Sequence, residues 1–281
     1  MTFTLKSEDP ARAAGGKEPV LWPERIACLT AETTEIVFAL GLADRVVGVS
    51  GYALRPPEAR KKEKIAAFTS VRMEKIQALK PDLILGFSDL QKDIARELVA
   101  ESFNVFITNQ RSLSEIGDMI LAIGRLTGCE ARALKLRQDF FDELGGLPRP
   151  RRGAPVPRVY FEEWDDPLIS GISWVSELID FLGGEDVFKE KSAGKTARER
   201  TVTPEDVIDR KPDILIASWC GKKVSFEKIR ERPGWDQIPA VQRGALYEIK
   251  SPDILAPGLS LLEGARQMSG IFAAWGERAL V

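Results

Sequence analysis

The pattern of apolar and polar positions repeats once along the chain. Met73–Phe87 reads MEKIQALKPDLILGF and Pro204–Trp219 reads PEDVIDRKPDILIASW. Glu74 and Glu205, Lys80 and Lys211, Pro81 and Pro212, and Asp82 and Asp213 pair at one constant offset. Each copy predicts a short amphipathic helix, a Lys-Pro-Asp break and a strand. Proline cannot continue a helix and biases the residue before it toward extended geometry. The runs Leu83–Leu85 and Ile214–Ile216 suit strands buried on both faces of a parallel sheet. Two copies so far apart indicate two similar α/β lobes rather than a solenoid.

Between the copies, Glu130–Leu147 (EARALKLRQDFFDELGGL) places Ala133, Leu134, Leu136, Phe140, Phe141, Leu144 and Leu147 on one broad helical face. A helix of that length spans roughly 27 Å, enough to run down the side of two lobes. Prolines 148, 150, 155 and 157 with Gly153 mark a boundary after it. The expected organisation is an N-terminal α/β lobe over 23–128, a connecting helix over 129–147 and a C-terminal α/β lobe over 155–281, with a ligand cleft between the lobes. Within the lobes, strands are expected at Arg25–Leu29, Arg45–Ser50, Ile65–Phe68, Asn104–Ile107, Arg158–Glu162 and Ala245–Ile249. Trp164–Pro167 and the polar Phe188–Arg200 segment read as loops, and residues 1–22 as a loosely held arm.

Composition narrows the function more than the fold. The chain has 281 residues, 44% hydrophobic and 29% charged, with a net charge of -2. No basic excess favours nucleic acid, and no apolar run reaches the roughly 18 residues of a membrane span. The N-terminal stretch lacks the apolar core of a secretory signal, so the expected location is the cytoplasm; a different start would move it to the periplasm. Cys28, Cys129 and Cys220 make no disulfide framework. There is no histidine at all, which removes Ser-His-Asp and Cys-His chemistry and histidine-based zinc or haem ligation. An enzyme acting in the cleft would need Lys, Tyr or a carboxylate as its base.

In open α/β sheets, ligands sit outside the carboxyl ends of the strands. The residues expected there are Tyr52, Phe68, Phe87, Trp164, Trp219 and Asp253. Five are aromatic in a chain with only 8% aromatics, and aromatic walls suit a large, flat, partly apolar ligand. The competing reading is that each ring merely caps its lobe's core. Glu74 and Glu205 carry the same ambiguity. An acid in a helix's first turn complements the macrodipole by about 0.3–1 kcal/mol, whereas one carboxylate per lobe on a common face would match two arginine sites on a partner.

The GVSGY…PP segment with MEKIQALKPDLIL, the YFEEWDDPLISG segment and GWDQIPAVQRGALYEI together resemble the cobalamin-binding proteins of ABC importers, part of a wider group that also carries ferric siderophores and haem. The resemblance runs from Arg25 to about Phe272. It implies two α/β lobes joined by one long helix and a non-enzymatic protein, expected to be a monomer without a cofactor, that carries a corrinoid. It also implies that Tyr52, Phe68 and Phe87 contact the corrin from the first lobe, and Leu168 and Asp253 from the second. Glu74 and Glu205 correspond to the pair that docks on permease arginines. A further second-lobe tryptophan of the group aligns near Glu199, where this chain is polar. Cys220, beside Gly221 at a strand end, is a candidate thiolate contact but more often a small packed residue. Alternatives are an anionic ferric siderophore or other chelate, served by Arg55, Arg72 and Arg198, and a cytoplasmic corrinoid binder without a permease.

Overall fold

A computed structural model describes residues 22–150, 153 and 155–279; residues 1–21, most of the expected arm, lie outside the described residues. Two sheets carry the chain. The first contains β1 (Ile26–Cys28), β2 (Val46–Ser50), β3 (Glu63–Ala67), β4 (Ser70–Val71), β5 (Leu83–Phe87) and β6 (Val105–Thr108), in the order β4-β3-β2-β1-β5-β6. It is parallel except for the β3–β4 pair. The second contains β7 (Arg158–Asp165), β8 (Leu168–Ser170), β9 (Glu185–Asp186), β10 (Ile214–Ala217) and β11 (Leu246–Glu248), in the order β11-β10-β7-β8, with β9 also on β7.

The duplicated segment forms the same device in both lobes. Helices Met73–Leu79 and Pro204–Arg210 end at Lys80 and Lys211, whose φ values are 45° and 47°. Both lysines are left-handed, not extended as the following proline suggests. The reason is capping: the Lys80 amide donates back to the Ile76 and Gln77 carbonyls and the Lys211 amide to Ile208, which closes the last turn. The aspartate after each proline then anchors the lobe's first strand. The Asp82 carboxylate accepts the Glu24 and Arg25 amides at 2.8 and 2.9 Å, and Asp213 accepts the Arg158 amide at 3.1 Å. Thus β5 is seated on β1 and β10 on β7 by the same chemistry.

Alternate residues of these strands enter different cores. Ile26, Cys28, Leu83, Leu85, Val159, Phe161, Ile214 and Ile216 all belong to one buried cluster. Their neighbours Ala27 and Ile84 face a separate first-lobe cluster, and Tyr160, Leu215 and Ala217 a separate second-lobe cluster. The period of two along each strand therefore splits inner from outer core. The inner core is shared: it includes Ala133, Phe140 and Leu144 of the connecting helix Glu130–Gly146 and residues of both lobes. The helix packs closely on the preceding one, Leu113–Leu126, since a Cβ on Gly124 would lie 2.2 Å from that of Ala133. Leu134, placed on the buried face by the periodicity, is 53% exposed, because the contact stripe is narrower than the apolar face.

Two loop expectations are corrected. Trp164 and Asp165 lie inside β7, which extends into a hairpin with β8; the Asp165↔Leu168 pair leaves only Asp166 and Pro167 as the turn. The 188–200 segment is built rather than loose. Phe188 is fully buried, Lys189–Ser192 is helical, and the buried Arg200 guanidinium donates to Glu163 and to the Ser170 carbonyl. Its polar sequence hides one aromatic anchor and one internal ion pair. Among the described residues no helix is long and apolar enough to cross a membrane.

Candidate functional site

Three first-lobe aromatics gather at the carboxyl ends of the first sheet. Tyr52 lies two residues past β2 and is 63% exposed. Phe68, half-buried, follows β3. Phe87 is the last residue of β5 rather than a residue beyond it. The buried Gln91 ties two of these together: its side-chain amide donates to the Phe68 carbonyl at 2.9 Å, and its oxygen accepts the Phe87 amide at 3.1 Å. Phe87 itself is enclosed. Trp174 of the second lobe meets it edge-to-face at 6.3 Å, and the Arg111 guanidinium stands 5.4 Å from its ring.

The second-lobe residues form a denser charged and aromatic wall. Trp219 is buried, and its indole N–H donates to Glu162 at 2.9 Å. Glu162, fully buried inside β7, is neutralised by Arg232 through bonds of 2.6 and 3.0 Å. The Lys222 ammonium lies 4.2 Å from the Trp164 ring and 5.0 Å from Trp219, so it joins the two indoles. Asp165 holds both Lys222 and Lys228. Burial pushes the Asp165 carboxyl up, but the hydrogen bonds from the two lysines outweigh it and leave it below the usual carboxylate value. Leu168 is buried in the second-lobe core. Cys220 is on the surface; burial of its sulfur, with the Glu163 charge adding, pushes its thiol up and favours the protonated form.

Asp253 is not at a strand end. It sits in the short helix Ser251–Ile254, where its carboxylate accepts Arg55 of the first lobe and Gln267. The same arginine donates to the Pro252 carbonyl at 3.1 Å. This pair bridges the loop after β2 and the short helix after β11. Sequence periodicity gave no sign of it, since the partners are 198 residues apart. The lobes also meet deeper down. The Ser260 amide donates to Glu35 at 2.9 Å, and a Cβ on Gly258 would lie 2.5 Å from that of Glu32. Burial pushes the Glu32 and Glu35 carboxyls up to about 7. An acid inside the apolar AETTEIVFA helix is the sequence signal for this junction.

Glu74 and Glu205 both lie in the first turn of their helices and are exposed. Capping at the second helix is done by Thr203 and Asp206, whose side chains exchange bonds with each other's amides at 3.1 and 2.9 Å. Glu205 is therefore spare to the cap. Among the described residues, neither glutamate has a side-chain hydrogen bond or ion pair.

Comparison with known proteins agrees with this architecture. A family model described as periplasmic binding protein matches residues 26–252. The vitamin B12-binding protein of Vibrio vulnificus strain YJ016 is 29% identical over 89% of this chain and 90% of its own length. The crystal structure of the periplasmic vitamin B12 binding protein of Vibrio cholerae superposes with a TM-score of 0.72 at 25% identity, covering 90% of this chain and 98% of that one. A possible iron-binding, periplasmic solute-binding protein of Staphylococcus epidermidis gives a TM-score of 0.77, also at 25% identity, over 89% and 98%.

Proposed function

The chain belongs to the periplasmic binding protein family, and on that premise we propose that it binds a corrinoid, cobalamin or cobinamide, and delivers it to an ABC permease without catalysing a reaction. The observation that carries the reading is the set of aromatics left open where the strands end. Tyr52 exposes most of its ring with no structural task to explain it, and Phe68 and Trp164 stay half open. Flat apolar surface of this kind fits a macrocycle better than a sugar or an amino acid. Tyr52, Phe68 and Phe87 form the first-lobe wall in this reading, and Trp164, Leu168, Trp219, Cys220 and Asp253 the second. The Vibrio relatives support a corrinoid. The iron-binding structural relative supports the second reading, a ferric siderophore or other bulky chelate.

Glu74 and Glu205 are assigned to the permease contact, as exposed carboxylates that the capping does not need. The protein acts as a monomer in this scheme. A partner in import also places it outside the cytoplasm; recovery in the cytoplasmic fraction would favour a binder without a permease. The decisive experiment is calorimetry with cobalamin, cobinamide, haem and ferric siderophores. A corrinoid dissociation constant in the micromolar range or tighter, about -8 kcal/mol or better, is expected. Saturating corrinoid that leaves melting temperature and tryptophan fluorescence unchanged would transfer the assignment to the chelate.

A further inference from the structure

A cavity of about 430 Å³ opens beside Trp164, lined also by Pro167, Ile169, Ala197, Arg198 and Thr201. We propose that it is a subsite for an oxyanion carried by the bulky ligand, with Arg198 as the counter-ion. This rests on the ligand-binding reading above and specifies what part of the ligand the second lobe selects.

Four of the six lining residues are apolar, and Arg198 is the one charged residue among them. Its neighbours in the same turn are already committed. Arg200 is buried against Glu163 and the Ser170 carbonyl. Glu199 turns back on its own turn, where it accepts the Lys195 and Thr196 amides at 2.6 and 3.2 Å. Asp165, at the end of β7, is shared by Lys222 and Lys228, one negative charge against two positive. Lys222 also lies 4.2 Å from the centre of the Trp164 indole. Asp166 is the exposed acid in the adjoining turn. Arg198 is exposed and, among the described residues, its side chain has no hydrogen bond or ion pair. The turn is held in place by backbone pairing, Ile169 with Thr201 and the Val202 amide to the Leu168 carbonyl at 3.0 Å. The cation is thus presented by a fixed element.

Of the two other arginines that would suit an anionic ligand, Arg55 is paired with Asp253, and Arg72 precedes the first-lobe helix Met73–Leu79 and does not line this cavity. A planar guanidinium against an apolar wall favours a carboxylate or phosphodiester, which can take two parallel hydrogen bonds in a partly water-poor setting.

The two corrinoids separate this chemistry. Cobalamin carries a phosphodiester in its nucleotide loop; cobinamide shares the ring and lacks that group. Calorimetry with cyanocobalamin and dicyanocobinamide is expected to show cyanocobalamin about tenfold tighter, equivalent to about 1.4 kcal/mol. Arg198→Gln should abolish that ratio and leave dicyanocobinamide unchanged, Arg198→Lys should keep part of it, and raised salt should shrink it. Equal affinities in the unaltered protein, or an Arg198→Gln variant that weakens both corrinoids alike, would overturn the subsite while the corrinoid reading stands. If neither corrinoid binds, that reading fails, and haem, with two carboxylates, becomes the probe. Weaker haem binding by Arg198→Gln then supports the subsite. Unchanged haem binding, or none by either protein, overturns it.

Discussion

The junction of the two lobes should make stability fall as the solution passes from mildly acid to neutral. Glu32 and Glu35 lie on the helix Ala31–Ala39, facing the Gly258–Ser260 segment across the lobe boundary. Burial raises both carboxyls from an ordinary 4.5 to about 7. Their surroundings are sparse. Thr30 helps Glu32, and Glu35 has the Ser260 amide and the Arg55 charge, while Glu32 opposes the ionisation of Glu35. A folded-state value above the unfolded one means that the native state holds the proton more tightly. That contribution is complete below about pH 4.5 and is lost as pH rises to about 7. Each carboxyl therefore gives up about 2 kcal/mol between pH 5.5 and 8, the slope falling from nearly 1.36 kcal/mol per pH unit as the native carboxyl ionises around pH 7. Because the chain has no histidine, the usual titrating group of this window is missing. Asp186 shifts in the same direction, so a variant must assign the effect. Urea unfolding at fixed slope, repeated from about pH 5.5 to 8, should show the midpoint fall and then level off above about 7.5. Glu32→Gln, nearly isosteric and unable to ionise, should remove about half of the fall. An unchanged pH dependence in Glu32→Gln, or a wild type more stable at pH 7.5 than at 5.5, would refute the reasoning.

Replacing Asp213 with alanine should cost about 1–3 kcal/mol in chemical denaturation, since the Arg158 amide at the start of β7 loses its charged acceptor; Asp82→Ala should cost at least as much, because two amides are stranded. Glu74→Arg with Glu205→Arg should abolish ligand uptake in cells yet leave ligand binding unchanged, as repulsion replaces attraction at the permease; uptake at the normal rate would leave these residues as helix-end charges only. Bound cobalamin should keep its own benzimidazole ligand, because no imidazole is available and the Cys220 thiol is held protonated; a new axial band in the absorption spectrum that Cys220→Ser removes would contradict this. Small-angle scattering should change little on ligand addition, because both lobes share one core with the connecting helix; a large contraction would contradict that.

The sequence by itself determined the two-lobed α/β architecture, and for a local reason. The Lys-Pro-Asp break and the branched runs around it need only nearby backbone geometry to act, so both copies form the helix and strand their patterns indicate, with only Lys80 and Lys211 left-handed where the pattern predicts extended backbone. The long helix Glu130–Gly146 was equally legible, because its period of 3.6 is written in adjacent turns. The strand-end positions of Tyr52, Phe68 and Trp219 followed from the same local signals. What the tertiary structure alone decided was which faces meet. Leu134 looks as apolar as Phe140, yet only Phe140 reaches the shared core. The 188–200 segment looks like a solvated loop until Glu163, 37 residues away, gives the buried Arg200 a partner. Arg55 and Asp253, or Glu35 and Ser260, are brought together only when the lobes close on each other. Burial, and with it the charge state of a carboxylate, is a property of the assembled interface, and no short stretch of sequence contains it.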